Sequence, residues 1–201
     1  MAETIKIEIF KKKDAEEFSA CLADPESRLD AGGGAAMCAA LSASLLSRAA
    51  KMTAAAGSVD EKLEYIVRNA EILRGYMVHL IDEDVRSRGP LRRAKKEGDP
   101  IHVEAAEKAA VSICAEIVNM NGKALELLRD LAKLCCEEAE PYILEGAELA
   151  MASMKASMHY ILSFTSRSRD ETYRFVSKRE NQITLEQATE LYEELCTKLV
   201  K

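Results

Sequence analysis

The sequence predicts an all-α protein: an antiparallel helical bundle forming one domain over residues 1–201. Three observations carry this reading. The composition is dominated by Ala, Leu, Glu, Lys and Met, with no Trp and only 5% aromatic residues, a set that favours helix over sheet. Apolar residues recur at helical spacing along most of the chain, and no strand alternation persists anywhere. Only 4 prolines and 9 glycines punctuate 201 residues, and they fall mostly between the periodic segments.

Each element follows from local chemistry. Asp14 is placed to cap a first helix from about Ala15 to Ala23, which Asp24-Pro25 ends. A loop is expected to run on to Gly34, and the next helix, about Ala35 to Ala56, is small or apolar on nearly every face until Arg48, as in a helix buried all round. Ser58-Val59-Asp60-Glu61 reads as a capping box opening a long helix to about Ser87. Its stripe is Leu63, Ile66, Val67, Ala70, Leu73, Met77, Leu80 and Ile81. Gly89-Pro90 interrupts the pattern, leaving Leu91–Glu97 as a short separate helical piece, and Gly98-Asp99-Pro100 is a turn. A helical stretch from Ile101 to about Ala139 is expected to break at Asn119-Met120-Asn121-Gly122. Glu140-Pro141 opens a helix striped with Leu144, Ala147, Met151, Met154, Met158 and Ile161, in the three-and-four steps of a bundle seam. Thr165–Asn181 reads as a helix end plus a loop, and Thr184-Leu185-Glu186-Gln187 as the capping box of a last helix.

The formal net charge is −6, which argues against general binding of nucleic acid or an anionic membrane. No long apolar run stands at the amino end, so a cytoplasmic protein is expected. The uncharged stretch Ala31–Ser47 is too short and too rich in Ala, Ser and Gly for a membrane span. Six cysteines show no zinc or redox spacing and read as reduced thiols; no metal site and no cofactor are expected.

Three places could carry chemistry. Gly32-Gly33-Gly34 stands at the start of the small-residue helix, where exposed backbone N–H groups and the helix dipole suit a carboxylate, a phosphate or a polarised carbonyl. The same glycines equally suit a turn that lets two backbones pass closely. In Ile81-Asp82-Glu83-Asp84, Asp84 falls on the apolar stripe, four residues after Leu80, whereas Asp82 turns away and is spaced to pair with Arg86 at the surface. A carboxylate on a core face is costly unless paired and is often functional; the alternative is a helix end where the stripe reaches solvent. Arg86, Arg88, Arg92, Arg93, Lys95 and Lys96 form a basic run suited to the carboxylates of a polyglutamyl tail, or to an ordinary solvated face.

Two segments together resemble the cyclodeaminase/cyclohydrolase family of folate enzymes. Asp30-Ala31-Gly32-Gly33-Gly34-Ala35-Ala36 with Ala39-Ala40-Leu41-Ser42-Ala43 is similar to that family's Pro-Gly-Gly-Gly-Ser-Ala-Ala loop and the small-residue helix after it. Leu80-Ile81-Asp82-Glu83-Asp84 and the segment to Lys96 are similar to its Leu-Val-Asp-Glu-Asp segment and the Ala-rich stretch after its Phe. The resemblance implies an all-helical homodimer acting on a tetrahydrofolate derivative. The reaction is either loss of ammonia from 5-formiminotetrahydrofolate to give the 5,10-methenyl compound, or hydrolysis of the latter. Carried over, Gly32, Gly33 and Gly34 line the folate pocket, joined by Arg88, Arg92 and Lys95, and Asp84 is the acid/base carboxylate. The chain departs from the family pattern at Ala31, Ala35, Arg88 (for Phe) and Lys95 (for Tyr). Ile143-Leu144-Glu145-Gly146 replaces a Ser-Asp-x-Gly, making Glu145 a candidate second catalytic carboxylate. The alternatives to a folate enzyme are a non-catalytic relative that binds folate or a protein, and a helical scaffold with no small-molecule site.

Overall fold

A computed structural model describes residues 9–57 and 61–199, and among these every regular element is helical. Six helices follow one another: α1 (Ala15–Ala23), α2 (Ala31–Ala55), α3 (Glu61–Glu97), α4 (Pro100–Leu131), α5 (Glu140–Thr165) and α6 (Glu171–Leu199). Short 3-10 turns at Phe10–Lys12 and Glu137–Ala139 complete them. No described helix is long and apolar enough to cross a membrane.

The centre of the bundle is α2. It packs against both α3 and α5, while α4 packs on α3 and α5 from the far side and α6 covers the α4–α5 groove. Small side chains make this possible: Ala36, Ala39, Ala43, Ala49 and Ala50 of α2 are wholly buried, and without bulk between them the helix axes close up. Polar pins set the register between α2 and α5. Ser42 Oγ donates to the Gly146 carbonyl at 2.7 Å, and Ser153 Oγ to the Ala35 carbonyl at 2.8 Å. As residue numbers fall on α2 they rise on α5, so the two helices run antiparallel.

Several boundaries differ from those the sequence suggests. The loop expected up to Gly34 ends at Asp30, whose carboxylate accepts from the Ala31 N–H, and the three glycines form the first turn of α2. Asp14 does cap α1, accepting from Glu17 N–H at 2.8 Å. The capping box at Ser58–Glu61 falls largely on residues outside the described ones. Gly89-Pro90 does not end α3. Pro90 lies on the exposed face, while Arg88, Leu91 and Ala94 bury the opposite one, so packing outweighs the missing backbone hydrogen bond. Termination comes at Gly98, whose φ of +75° a side chain would oppose, and Asp99 then caps α4 at Pro100.

No break occurs at Asn119–Gly122. Asn121 is buried inside α4, its amide donating to Ile117 O and to Ser153 Oγ at 2.9 Å, so a residue that reads as a breaker is a cross-helix pin. Thr184 sits inside α6, donating to the Glu180 carbonyl, rather than at its start. The helix opens thirteen residues earlier, where the Asp170 carboxylate accepts from the Tyr173 N–H.

One junction carries a pH prediction. Glu71 on α3 takes hydrogen bonds from Lys51 and Ser47 of α2 and from Arg74 on its own helix. The Lys51 bond, then those of Ser47 and Arg74, hold its carboxyl at about 2, below the ordinary 4.5. A lowered folded-state value means that the stabilisation is complete above about 4.5 and is lost as pH falls towards 2. Glu71→Gln should therefore flatten the acid limb of a stability–pH curve and leave its shape above pH 5 unaltered. A denaturant-midpoint series on both proteins reads this directly.

Candidate functional site

The site is assembled where the first turn of α2 meets the middle of α3. Asp84 projects from the core face of α3 and is fully buried. Its carboxylate fills the space that a side chain on Gly32 would need, so a Cβ there would overlap it. The Gly33 N–H, at the open end of the helix, acts on the same carboxylate and favours its charged form. The glycines thus serve both roles their sequence allowed: close approach of another element, and backbone donors with a helix N-terminus aimed at an anion. The anion is the protein's own Asp84.

Arg88, one turn on from Asp84, is also buried. Its Nε lies 3.1 and 3.2 Å from the two Asp84 oxygens and its Nη2 2.8 Å from Oδ1, a two-pronged pair. Its Nη1 reaches Asp30 Oδ2 at 2.9 Å. The guanidinium carbon lies 3.9 Å from the ring centroid of Tyr160 on α5, and Tyr160 in turn stacks on Phe164 at 4.4 Å. One cation therefore bridges a buried carboxylate and a half-exposed one.

Their environments push the two acids apart. Burial drives the Asp84 carboxyl above the ordinary carboxylate value, against the pull of Arg88. At Asp30 burial works the same way, but the Ala31 N–H and the Arg88 charge outweigh it and hold that carboxyl low. A pair tuned in opposite directions is the usual arrangement for one proton carrier and one permanent anion. Beside them Cys114 is pushed up to about 12, by burial and then by Asp84, and stays a thiol.

A cavity of about 560 Å³ opens beside the cluster, lined among others by Leu22, Asp24, Leu29, Asp30 and Arg92. Arg92 stands on its wall and donates to the Arg28 carbonyl at 3.0 Å. Lys95 is not at the cluster: its Nζ lies 3.8 Å from Glu107 and 5.7 Å from the Phe164 ring centroid. Glu145 is exposed on α5. Its neighbour Gly146 packs at Ser42, ten residues along α2 from Gly32, or about 15 Å at the helical rise, so the structure does not bring Glu145 to Asp84.

Asp82 corrects an expectation. It is buried rather than at the surface, and accepts from the backbone N–H groups of Phe10 (2.8 Å) and Lys11 (3.3 Å). Arg86 pairs instead with Glu83. The reason is long range: the segment before α1 folds back onto α3 and needs an acceptor for its buried N–H groups. Asp82→Ala removes that acceptor and should cost about 1–3 kcal/mol, the usual penalty for an orphaned buried donor, in a urea melt. Glu83→Ala, with its exposed partner Arg86, should cost under about 1 kcal/mol.

Comparison with known proteins shows the family and the fold. A family model described as formiminotransferase-cyclodeaminase matches residues 14–183. The chain belongs to the formiminotransferase-cyclodeaminase family. Its fold is similar to the crystal structure of formiminotetrahydrofolate cyclodeaminase from Thermotoga maritima, with a TM-score of 0.87 and 19% identity over 94% of this chain and 96% of that one. No curated protein sequence matches it significantly. Membership spans α1 to the first half of α6 and so contains the whole Asp30–Asp84–Arg88 cluster. Arg88 ties down Asp84 within the cluster. The sequence places Arg88 four residues after Asp84, the spacing of a helical ion pair. The parts played by Asp30 and Tyr160 come only from the packing of α2 and α5.

Proposed function

We propose that this protein is an enzyme of one-carbon metabolism that converts 5-formiminotetrahydrofolate to 5,10-methenyltetrahydrofolate and ammonia. Family membership supports a folate-related activity. The observation that carries the finer reading is the pair of oppositely tuned carboxylates, buried Asp84 and half-exposed Asp30, joined through Arg88 at the glycine-opened end of α2.

The chemistry needs such groups. N10 of the folate attacks the protonated formimino carbon, forming the C–N10 bond. N10 then gives up its proton, the amino nitrogen gains one, and the C–N bond to that nitrogen breaks to release ammonia. One carboxyl serving as base and then acid accounts for both transfers, and Asp84, raised by burial above the ordinary carboxylate value, is the group for it. The ionised Asp30 faces the cavity and steadies the cationic one-carbon unit, while Arg92 on the cavity wall meets a substrate carboxylate. In this reading the working form is a homodimer in the cytoplasm, with no metal and no cofactor beyond the folate itself.

A binding titration tests the reading. Tetrahydrofolate and its 5-formyl derivative, a stable analogue of the formimino compound, should quench or shift a spectroscopic signal saturably in the wild type, and Arg92→Ala should weaken that binding. Absence of saturable binding by either folate would overturn the assignment.

A further inference from the structure

We propose that the Arg88 guanidinium occupies the subsite for the substrate's amidinium group, so that Asp84 and Tyr160 form a recognition site for planar amidinium cations that the chain's own side chain fills at rest. The inference rests on the formimino substrate proposed above and names the place where its reacting group binds.

The two cations match in shape and charge. A protonated formimino group on N5 is an N–C–N amidinium: flat, delocalised, cationic, with N–H donors on its outer nitrogen. A guanidinium shares every one of those properties. The N5-formimino group has N–H donors on its outer nitrogen alone, so it would keep the Nη2 contact to Asp84 and forgo that of Nε; at this site the guanidinium is held by groups that such a cation also uses. A carboxylate takes its N–H groups with two oxygens, at 2.8 to 3.2 Å, an aromatic ring lies 3.9 Å from its carbon, and a second carboxylate, Asp30, approaches from the cavity side at 2.9 Å. The carboxylate itself lies in the space that the missing Gly32 side chain leaves.

A second observation shows that Arg88 does not satisfy the site fully. The hydroxyls of Ser157 and Tyr160 are buried and have no hydrogen-bond partner. Ser157 is three residues before Tyr160 and so lies on the same face of α5. Since Ser153 is bonded at Ala35, Ser157 comes level with the first turn of α2, one helical turn further along. Two buried hydroxyls left without partners, one of them on the ring under the Arg88 guanidinium, are costly. A substrate carrying more polar atoms than a guanidinium would use them.

The consequence is competition. Substrate reaches Asp84 only when Arg88 swings out through the Asp30 side, so the apparent affinity is lowered by the fraction of time Arg88 is in place. The electrostatics cooperate, because Asp30 stands on that route and is able to keep the displaced guanidinium paired.

The test uses the simplest amidinium cations. Arg88→Ala should melt below the wild type, because Asp84 loses its partner. Millimolar formamidinium or guanidinium chloride should raise its thermal midpoint in a saturable manner, as binding to the folded state requires, while ammonium chloride at equal ionic strength should not. The wild type, with its subsite mostly filled, should need about tenfold more of the cation for the same rise, and the Asp84→Asn/Arg88→Ala double variant, with no carboxylate, should show none. If Arg88→Ala does not fold unaided, recovery of folded protein on dilution from denaturant should depend on formamidinium and not on ammonium. No amidinium-selective effect in either format, or an equal effect in the double variant, overturns the proposal. With the folate substrate, Arg88→Ala should lower KM by about tenfold if Arg88 fills the site ten times in eleven. A folate-inactive wild type whose Arg88→Ala form still binds formamidinium would leave the subsite standing and remove the folate assignment, so the two failures are distinct.

Discussion

Asp84→Asn should bind folate and fold, yet form methenyltetrahydrofolate about 10²- to 10⁴-fold more slowly, the usual loss when a positioned acid–base group is removed. The amide preserves the shape that fills the Gly32 space and keeps one oxygen for Arg88, so architecture and chemistry separate in this variant. It cannot take up and release a proton. Absorbance of the methenyl product in wild type and variant, with folate binding measured in parallel, checks the expectation. Full activity in Asp84→Asn would show that another group moves the proton.

The second large effect is a graded series through the glycine turn. Gly32→Ala would drive its methyl group into the Asp84 carboxylate. That carboxylate is held by a two-pronged pair, so overpacking should cost about 1–3 kcal/mol and should also displace the proposed proton carrier, abolishing most turnover. At Gly33 the new methyl meets only the tip of Leu29, at 2.6 Å, a side chain that is able to rotate, and the loss should be smaller. At Gly34 the closest atoms are on Leu22 at 3.4 and 3.6 Å, ordinary contact. There the helix gains from Ala in place of Gly, up to about 1 kcal/mol. Denaturant melts of the three variants should therefore order as Gly32→Ala below Gly33→Ala below Gly34→Ala, with the last at or above wild type. Equal effects at all three would mean that the turn matters only for backbone flexibility.

Helical periodicity shows itself in the sequence because it is a local property. The stripes on α3 and α5, the Asp14 cap and the Gly98-Asp99-Pro100 turn are all settled within one or two turns of chain. The misplaced boundaries share one cause. Pro90, Asn121 and Thr184 are residues of low helix preference held inside helices by tertiary contacts. Pro90 sits opposite a buried face, Asn121 bonds across to Ser153, and Thr184 lays its methyl group against Gly122 of α4. Asp84 was legible because it interrupts an apolar stripe with a charge. Asp82 was not, because its partners lie some seventy residues away in a segment with no periodicity of its own. The same holds for Tyr160 and Ser157, which look like ordinary members of a helical seam until α5 is laid antiparallel to α2. Resemblance to the family pointed to the glycine turn and to Asp84, but Arg88, read as one of several basic residues, was not recognised as the carboxylate's partner.

The most direct test of the account is the rate at which the purified wild-type protein generates the methenyl absorbance from 5-formiminotetrahydrofolate under excess substrate. Saturable, enzyme-dependent appearance of that absorbance, with ammonia released in equal amount, is the predicted result. Saturable folate binding with no methenyl formation from the formimino compound would contradict it.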